Sequence, residues 1–385
     1  MRRWLVGVGL ALVLLVVLAL GHAFATYPTE YVVRVLTLAD ADIGDVEVFP
    51  ARTVSAPSDP RPLPVDPEEV GAVFASLGKG DLTEFLEETD SRAFLVLRDG
   101  ALVHEQYVLG ADGQTTLTSF SVAKSFGSLL VAHLVQEGVL DFDDPITDHL
   151  PELTARPGFE DITIRHLLDM SSGIAYAEFP WVTGDDAKTY YYPDLRSLAL
   201  EHTEVDGPPG RVMHYNNYHP LLLGLILERA SGGSVSALLE EAIWQPMGAE
   251  ADGSWSLDEE GFEKMESGIN GRARDFARFG LHVLDVAEGR IVLPESYVEA
   301  ITTPQPRGDA GYYADWMLET SVGYSLMFWQ ASGDGFTDIV AFGNHGQLIY
   351  VAPRTETVVV RLGAGYGIGF EEWMPLLRDF VTALG

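Results

Sequence analysis

The chain has 385 residues, 47% of them apolar, and a net charge of −33. It is long enough for one large domain or two. The charge argues against nucleic acid and against electrostatic docking to anionic lipid, and the absence of cysteine excludes disulfides, thiolate catalysis and Cys-ligated zinc.

In chain order, Met1-Arg2-Arg3 is a positive flank, and Trp4 to Leu20 is almost wholly apolar. That run is at the lower limit for a spanning helix, roughly 17 residues. Arginines at its start stay cytoplasmic, so the rest of the chain is expected to be exported across the cytoplasmic membrane of a bacterium. Ala23-Phe24-Ala25 offers a signal-peptide cleavage site. The length of the run favours an uncleaved signal-anchor, making the membrane a partner through the N-terminal helix. Residues 1–25 then stand outside the fold, and residues 26–67 form a juxtamembrane segment and linker. Within it, Thr26 to Leu36 reads as a helix or strand, and Ala51 to Pro67 holds Pro57, Pro60, Pro62, Pro64 and Pro67, which suits an extended connection.

Residues 68–385 are the expected folded domain. Glu68 to Thr89 has helical periodicity. Ala93–Leu97 and Ala101–Val108 flank Asp99-Gly100, a hairpin signal. Ser121 to Leu140 is a long apolar helical run, and helices dominate from about Asp141 to Ala300. Val322–Gln330, Thr337–Phe342, Leu348–Val351 and Thr357–Leu362 read as strands, and Glu371–Leu384 as a closing helix. Strands near both ends and helices between them predict an α+β fold: one antiparallel sheet flanked by helices, completed by the N- and C-terminal parts of the domain, with a helical lobe inserted. The groove between sheet and lobe is the expected place for a site.

Chemistry enters at Ser121-Val122-Ala123-Lys124, an S-x-x-K at the start of that apolar run. Three residues is nearly one turn, so hydroxyl and amine share a helix face, beside the unpaired N–H groups of the helix N-terminus. A lysine that has lost its proton activates a serine that water alone leaves unreactive. Further on, Tyr215-Asn216-Asn217 gives Y-x-N. Ile162–Ile174 (ITIRHLLDMSSGI) and Gly271–Gly280 (GRARDFARFG) lie between and after these motifs. In these stretches, from about Pro64 to the C-terminus, the chain resembles class C β-lactamase-type serine hydrolases. That group includes family VIII carboxylesterases, D-alanyl-D-alanine peptidases and 6-aminohexanoate-dimer hydrolases.

The resemblance implies a β-lactamase/transpeptidase-like fold and acyl transfer through Ser121, with Lys124 and Tyr215 sharing proton transfer. It implies Asn217 hydrogen-bonded to Lys124 and to the substrate's acyl group. It implies an oxyanion hole from the Ser121 N–H and an N–H on the edge strand near Gly343 to His345. The aromatic and acidic stretch Trp181 to Asp194 would form a substrate-contacting wall with Tyr176, Tyr190 and Tyr191, since related amide hydrolases use a tyrosine in this region, and Asn270 would line the site. The expected partner is a small ester or amide, and no metal or organic cofactor is required. The third motif departs from the family's K-T-G. Gly343 is kept, but Ala341 stands at the lysine position. His345 would share its side of the strand if no turn intervenes. Loss of that cation weakens the reading as a β-lactamase or D-alanyl peptidase. A non-catalytic binding domain is a further alternative, but it would be expected to lose Ser, Lys or Tyr. His166 and His214 read as structural. Neither H-E-x-x-H nor G-x-S-x-G occurs.

Overall fold

The computed structural model describes residues 2–179, 181–304, 317, 322–333 and 336–385, without the side chains of residues 2–7, 9 and 336. Two helices come first, α1 (Arg2–Thr26) and α2 (Thr29–Leu38), then a short strand β1 (Ala51–Val54). The expected hairpin forms as β2 (Ser91–Arg98) and β3 (Ala101–Tyr107). Its turn residues Asp99 and Gly100 both take positive φ, the geometry that a two-residue hairpin needs and that Asp-Gly tolerates. β4 (Leu117–Thr118) leads into α3 (Val122–Gln136). The middle of the chain carries α4 (Asp185–Tyr191), α5 (Tyr218–Ser231), β5 (Gly253–Ser256), β6 (Ile269–Gly271) and α6 (Ala273–Ala287), among shorter helices. Five strands follow: β7 (Val322–Ser325), β8 (Phe328–Gly333), β9 (Phe336–Gly343), β10 (Gln347–Ala352) and β11 (Thr357–Gly363). The last helix is α7 (Phe370–Leu384).

Seven strands make one antiparallel sheet in the order β3-β2-β11-β10-β9-β8-β7. The N-terminal hairpin therefore closes onto the last strand of the chain, from Thr357 opposite Arg98 to Gly363 opposite Ser91. Every residue of β10 and β11 is buried, because helices cover both faces. On one face, a Cβ at Gly280 of α6 would come within 2.4 Å of Val358, so glycine lets the helix backbone close on the sheet. On the other, Phe380 of α7 lies 6.2 Å from Phe94, and the Arg361 guanidinium 5.1 Å from the Trp373 ring. Each such aromatic stabilises the fold by about 1.5–3 kcal/mol through burial.

Three expectations change. Val322–Gln330 is two strands, not one. Leu326 and Met327 turn the chain with φ of 49° and 61°, a conformation that leucine and methionine disfavour. Tertiary contacts impose it: Ser128 Oγ donates to Leu326 O (2.6 Å), Ser125 Oγ to Met327 O (2.8 Å), and Leu326 N to Asp169 (2.9 Å). Next, the helical middle also contains β5 and β6, which join β1 and β4 in a second sheet ordered β1-β5-β6-β4. Finally, the proline-rich connection runs extended but docked, since its neighbour β1 pairs with β5 from Ala51–Ser256 to Val54–Gly253.

The residues after α1 are docked as well. Tyr31, Val32 and Val35 of α2 are buried in a small cluster with Ala23, Phe49, Val182 and Tyr191. Tyr31 OH donates to Val182 O (2.8 Å), and Arg34 pairs with Glu259 (2.7 Å). Along α1 itself, Val13 to Leu18 are each 57–62% exposed. Among the described residues no single helix is long and apolar enough to cross a membrane, the apolar stretch in α1 being Leu10–Thr26.

Candidate active site

Ser121 is the residue that opens α3. The residue before it, Phe120, is buried with φ of 43°, a left-handed conformation unfavourable for a bulky side chain. The bend is held by Ser119 N donating to Ile269 O (2.7 Å) and by the first turn, Lys124 N to Ser121 O (3.1 Å). It presents the Ser121 hydroxyl to a cleft of about 780 Å³.

Lys124 follows one turn later and is 1% exposed. Its Nζ lies 2.7 Å from Ser121 Oγ and 2.8 Å from Glu266 O, and 5.0 Å from the centre of the Tyr215 ring. Burial pushes the amine down to about 7, against the upward pull of the Glu266 and Glu178 carboxylates. Near neutral pH much of Lys124 is then neutral, and a neutral amine can accept the serine proton. Tyr215 enters just before α5. Its ring stacks on Trp329 of β8 (6.0 Å) and meets Tyr324 of β7 edge-on (6.0 Å). The hairpin that sequence periodicity reads as one strand is thus the support that sets the position of Tyr215.

The Y-x-N asparagines divide the work. Asn216 is buried, donating to Ile174 O (2.9 Å) and accepting from Tyr218 N (2.9 Å), which anchors the turn. Asn217 lines the cleft, and its Nδ2 donates to Tyr176 OH (2.9 Å). Contrary to the expectation, Asn217 makes no hydrogen bond to Lys124, whose Nζ bonds to Ser121 Oγ and the Glu266 carbonyl instead. Asn217 Oδ1 has no protein partner among the described residues. Tyr176 is buried behind Asn217, so it orients the amide and does not form an open wall.

The third motif lies at the end of β9. A Cβ at Gly343 would meet Ser119 O at 2.5 Å and Ser121 N at 3.0 Å, so only glycine allows the strand to close on the nucleophile. β9 is an interior strand, not the sheet's edge, but its β8 partners stop at Val340, so Ala341–Gly343 run on as a free margin. A tight turn over Asn344–Gly346 intervenes after Gly343, and His345 has φ of 56°. His345 therefore leaves the strand. Its Nε2 donates to Ala41 O (2.7 Å), and its ring packs between Phe120 (5.1 Å) and Tyr366 (6.2 Å). The imidazole lines the cleft and also holds the N-terminal segment, off the strand position that the missing lysine would occupy.

Asn270 is not part of the cleft. It is buried in β6, with Nδ2 donating to Ser256 Oγ (3.0 Å). The loop before it supplies the site instead. Glu266 lines the cleft and forms a buried pair with Lys264 (3.3 Å), whose ammonium lies 4.4 Å from the Phe49 ring. Burial lowers the Lys264 pKa. This pair fixes the loop whose carbonyl holds Lys124. His166 completes a helix cap with Thr163, and His214 packs on Tyr176 (6.1 Å).

The aromatic, acidic stretch from Trp181 to Tyr191 does line the cleft, whereas sequence reasoning missed the roof from the N-terminal segment. Trp181, Asp186 and Tyr190 face the cleft from the lobe, with Tyr190 OH donating to Asp45 (2.8 Å). Leu36, Asp40 and Ala41 roof it from the N-terminal segment.

The beta-lactamase family profile matches residues 80–367. The chain belongs to the beta-lactamase family. It is 30% identical over 307 residues to the 6-aminohexanoate-dimer hydrolase of Paenarthrobacter ureafaciens, covering 74% of this chain and 75% of that protein. A Bacillus anthracis structure described as a 6-aminohexanoate-dimer hydrolase superposes with a TM-score of 0.76 at 25% identity, over 88% of this chain and 92% of the other. A penicillin-binding protein from Bacillus halodurans gives 0.58 at 19% identity, over 78% and 97%, and shows the shared fold alone. The protein is a serine hydrolase of the β-lactamase-related type with the β-lactamase/transpeptidase fold.

Proposed function

We propose that this hydrolase cleaves a neutral ester or amide through an acyl-Ser121 intermediate. The observation that carries the reading is the buried Lys124 amine 2.7 Å from Ser121 Oγ. Neutral Lys124 takes the hydroxyl proton as Oγ bonds to the substrate carbonyl carbon. The resulting oxyanion is met by the Ser121 N–H and by the N–H of Asn344, the first residue past Gly343. Tyr215 passes the proton from Lys124 to the leaving oxygen or nitrogen, the carbonyl–leaving group bond breaks, and acyl-Ser121 remains. Water, deprotonated by the same pair, then releases the acid and frees Ser121. Asn217, held by Tyr176, donates or accepts at the acyl side chain.

The lining sets the substrate class. Asp40, Glu178, Asp186 and Glu266 face the cleft, and among the described lining residues there is no arginine or lysine. Ala341 stands where penicillin-recognising relatives carry their lysine. A substrate carboxylate would therefore lack a cationic partner, a loss of about 2–5 kcal/mol for a buried charge. By its name, the 6-aminohexanoate-dimer hydrolase relative cleaves the dimer of an amino acid, which supports amide cleavage here; that dimer keeps a free carboxylate, so the relative does not support the exclusion of anionic substrates.

The N-terminal helix is read as an uncleaved anchor, with the domain exported. The exposed apolar side chains of α1 support this. So does Ala23, which is helical and buried against the lobe where a signal-peptide cleavage site would have to be extended and open.

Two measurements test the enzyme. A fluorophosphonate probe should label the wild type at Ser121 and leave Ser121→Ala blank; equal labelling of the variant would remove Ser121 as nucleophile. In one buffer, kcat/KM for p-nitrophenyl butyrate should exceed that for nitrocefin by about a hundredfold or more. A nitrocefin value equal to the ester's would show that the site grips carboxylates.

A further inference from the structure

The mouth of the cleft carries an apolar rim. Leu36 is 41% exposed and Trp181 40%, and both line the cleft. Phe179, two residues from Trp181, is 54% exposed, and Val33, one turn before Leu36 on α2, is 43% exposed. Single exposed apolar side chains are ordinary, but several at one cleft mouth mark an interaction surface.

The rim is fixed to α1. Only Tyr27 and Pro28 separate α1 from α2, and Tyr27 N still donates to Ala23 O (2.9 Å). Ala23, Val32 and Val182 share one buried cluster, and Tyr31 ties α2 to the lobe at Val182. The end of α1, α2 and Val182 are therefore packed together in one cluster.

We propose that this rim is a lipid-facing surface. With α1 in the bilayer, Leu36, Val33, Phe179 and Trp181 enter the interfacial layer, and the cleft opens toward the membrane. Amphiphilic esters or amides then reach Ser121 from the lipid side. Trp and Phe suit that layer, where one end of a side chain is apolar and the surroundings are wet. The charge selects the lipid. Asp40, Glu178 and Asp186 lie just behind the rim, and the whole chain is strongly acidic, so an anionic leaflet would repel it and a zwitterionic one would not. The proposal rests on the anchor reading of α1 and is independent of the acyl-Ser121 chemistry.

Because the chain has no cysteine, single-cysteine variants report single positions. Leu36→Cys, Phe179→Cys, Leu14→Cys and Val292→Cys, each in the full chain, are labelled with an environment-sensitive fluorophore. They are reconstituted in phosphatidylcholine vesicles. Val292 is the aqueous control, 71% exposed in the turn after α6. The expected result is a blue-shifted emission at 14, 36 and 179 that nitroxide-labelled lipid quenches, with 292 unshifted and unquenched. If 36 and 179 match 292 while 14 is lipid-buried, the anchor stands and the rim proposal falls. If 14 is also water-exposed, the anchor reading fails and takes the proposal with it. Fluorophosphonate labelling of Ser121 in the same samples keeps either failure separate from the catalytic reading.

Discussion

Ser121 and Lys124 lie one turn apart on α3, and Tyr215 joins them from a short motif at the start of α5. Leu36, Asp40 and Ala41 reach the same cleft from a segment that precedes the family-matched region altogether. The two regions are held by different means. The catalytic centre stands on helices packed against a seven-stranded sheet whose strands β10 and β11 are buried throughout. The roof rests on one small apolar cluster and a few polar ties, Tyr31 to Val182, Tyr190 to Asp45 and His345 to Ala41. Few buried apolar contacts mean a low local opening free energy. The centre should therefore control the rate of chemistry, and the roof the binding of substrate.

The strongest way to probe the centre is Tyr215→Phe. The ring stays packed on Trp329 and Tyr324, so the variant should fold with an unchanged melting temperature. Loss of the hydroxyl should lower kcat by roughly a hundredfold or more with little change in KM. A variant with wild-type kcat would make Tyr215 a packing residue only.

The pH dependence separates the regions next. Lys124 titrates at about 7 because burial disfavours its charged form. Protonated Lys124 cannot accept the serine proton. For a neutral substrate kcat/KM should therefore fall below pH 7, by close to tenfold per unit, and level off above it. A profile flat from about pH 5 to 8 would exclude Lys124 as the base.

What could be read from the sequence follows the same division. Ser121 and Lys124 were legible because helical periodicity alone places them together. The Asp99-Gly100 hairpin was legible because its turn chemistry is local. The Leu326-Met327 turn was hidden, because its residues disfavour positive φ and only Ser125, Ser128 and Asp169, distant in sequence, impose it. The roof was hidden for a related reason. Tyr31, Val32 and Val35 have the spacing of any amphipathic helix, and nothing in that spacing tells which surface they cover. Glu266 and Lys264 were hidden as well: they sit in the acidic stretch Asp258 to Ser267, where nothing local signals burial, yet they pair in the interior with the Lys264 ammonium over Phe49. Asn270 was drawn to the site by its place before a family motif. Its Nδ2 instead donates across to Ser254 and Ser256 of β5.

Tyr31→Phe is the smallest perturbation and the most selective for the roof. The phenol is fully buried, and its hydroxyl donates to Val182 O at 2.8 Å. Removing the hydroxyl keeps the ring in its cluster and leaves the Val182 carbonyl without that donor. Such a loss costs about 1–3 kcal/mol. In a unit that opens locally, this cost appears as looser docking and not as global unfolding. Amide hydrogen exchange should therefore speed up across Thr29–Leu38 and around Val182, by roughly tenfold, while the sheet strands β10 and β11 keep their protection. KM for a neutral ester should rise a few-fold and kcat should stay near wild type, since Ser121, Lys124 and Tyr215 do not touch Tyr31. Equal acceleration of exchange in roof and sheet would show that the two regions unfold as one unit. A fall in kcat with KM unchanged would show that the roof takes part in the chemistry as well as in binding.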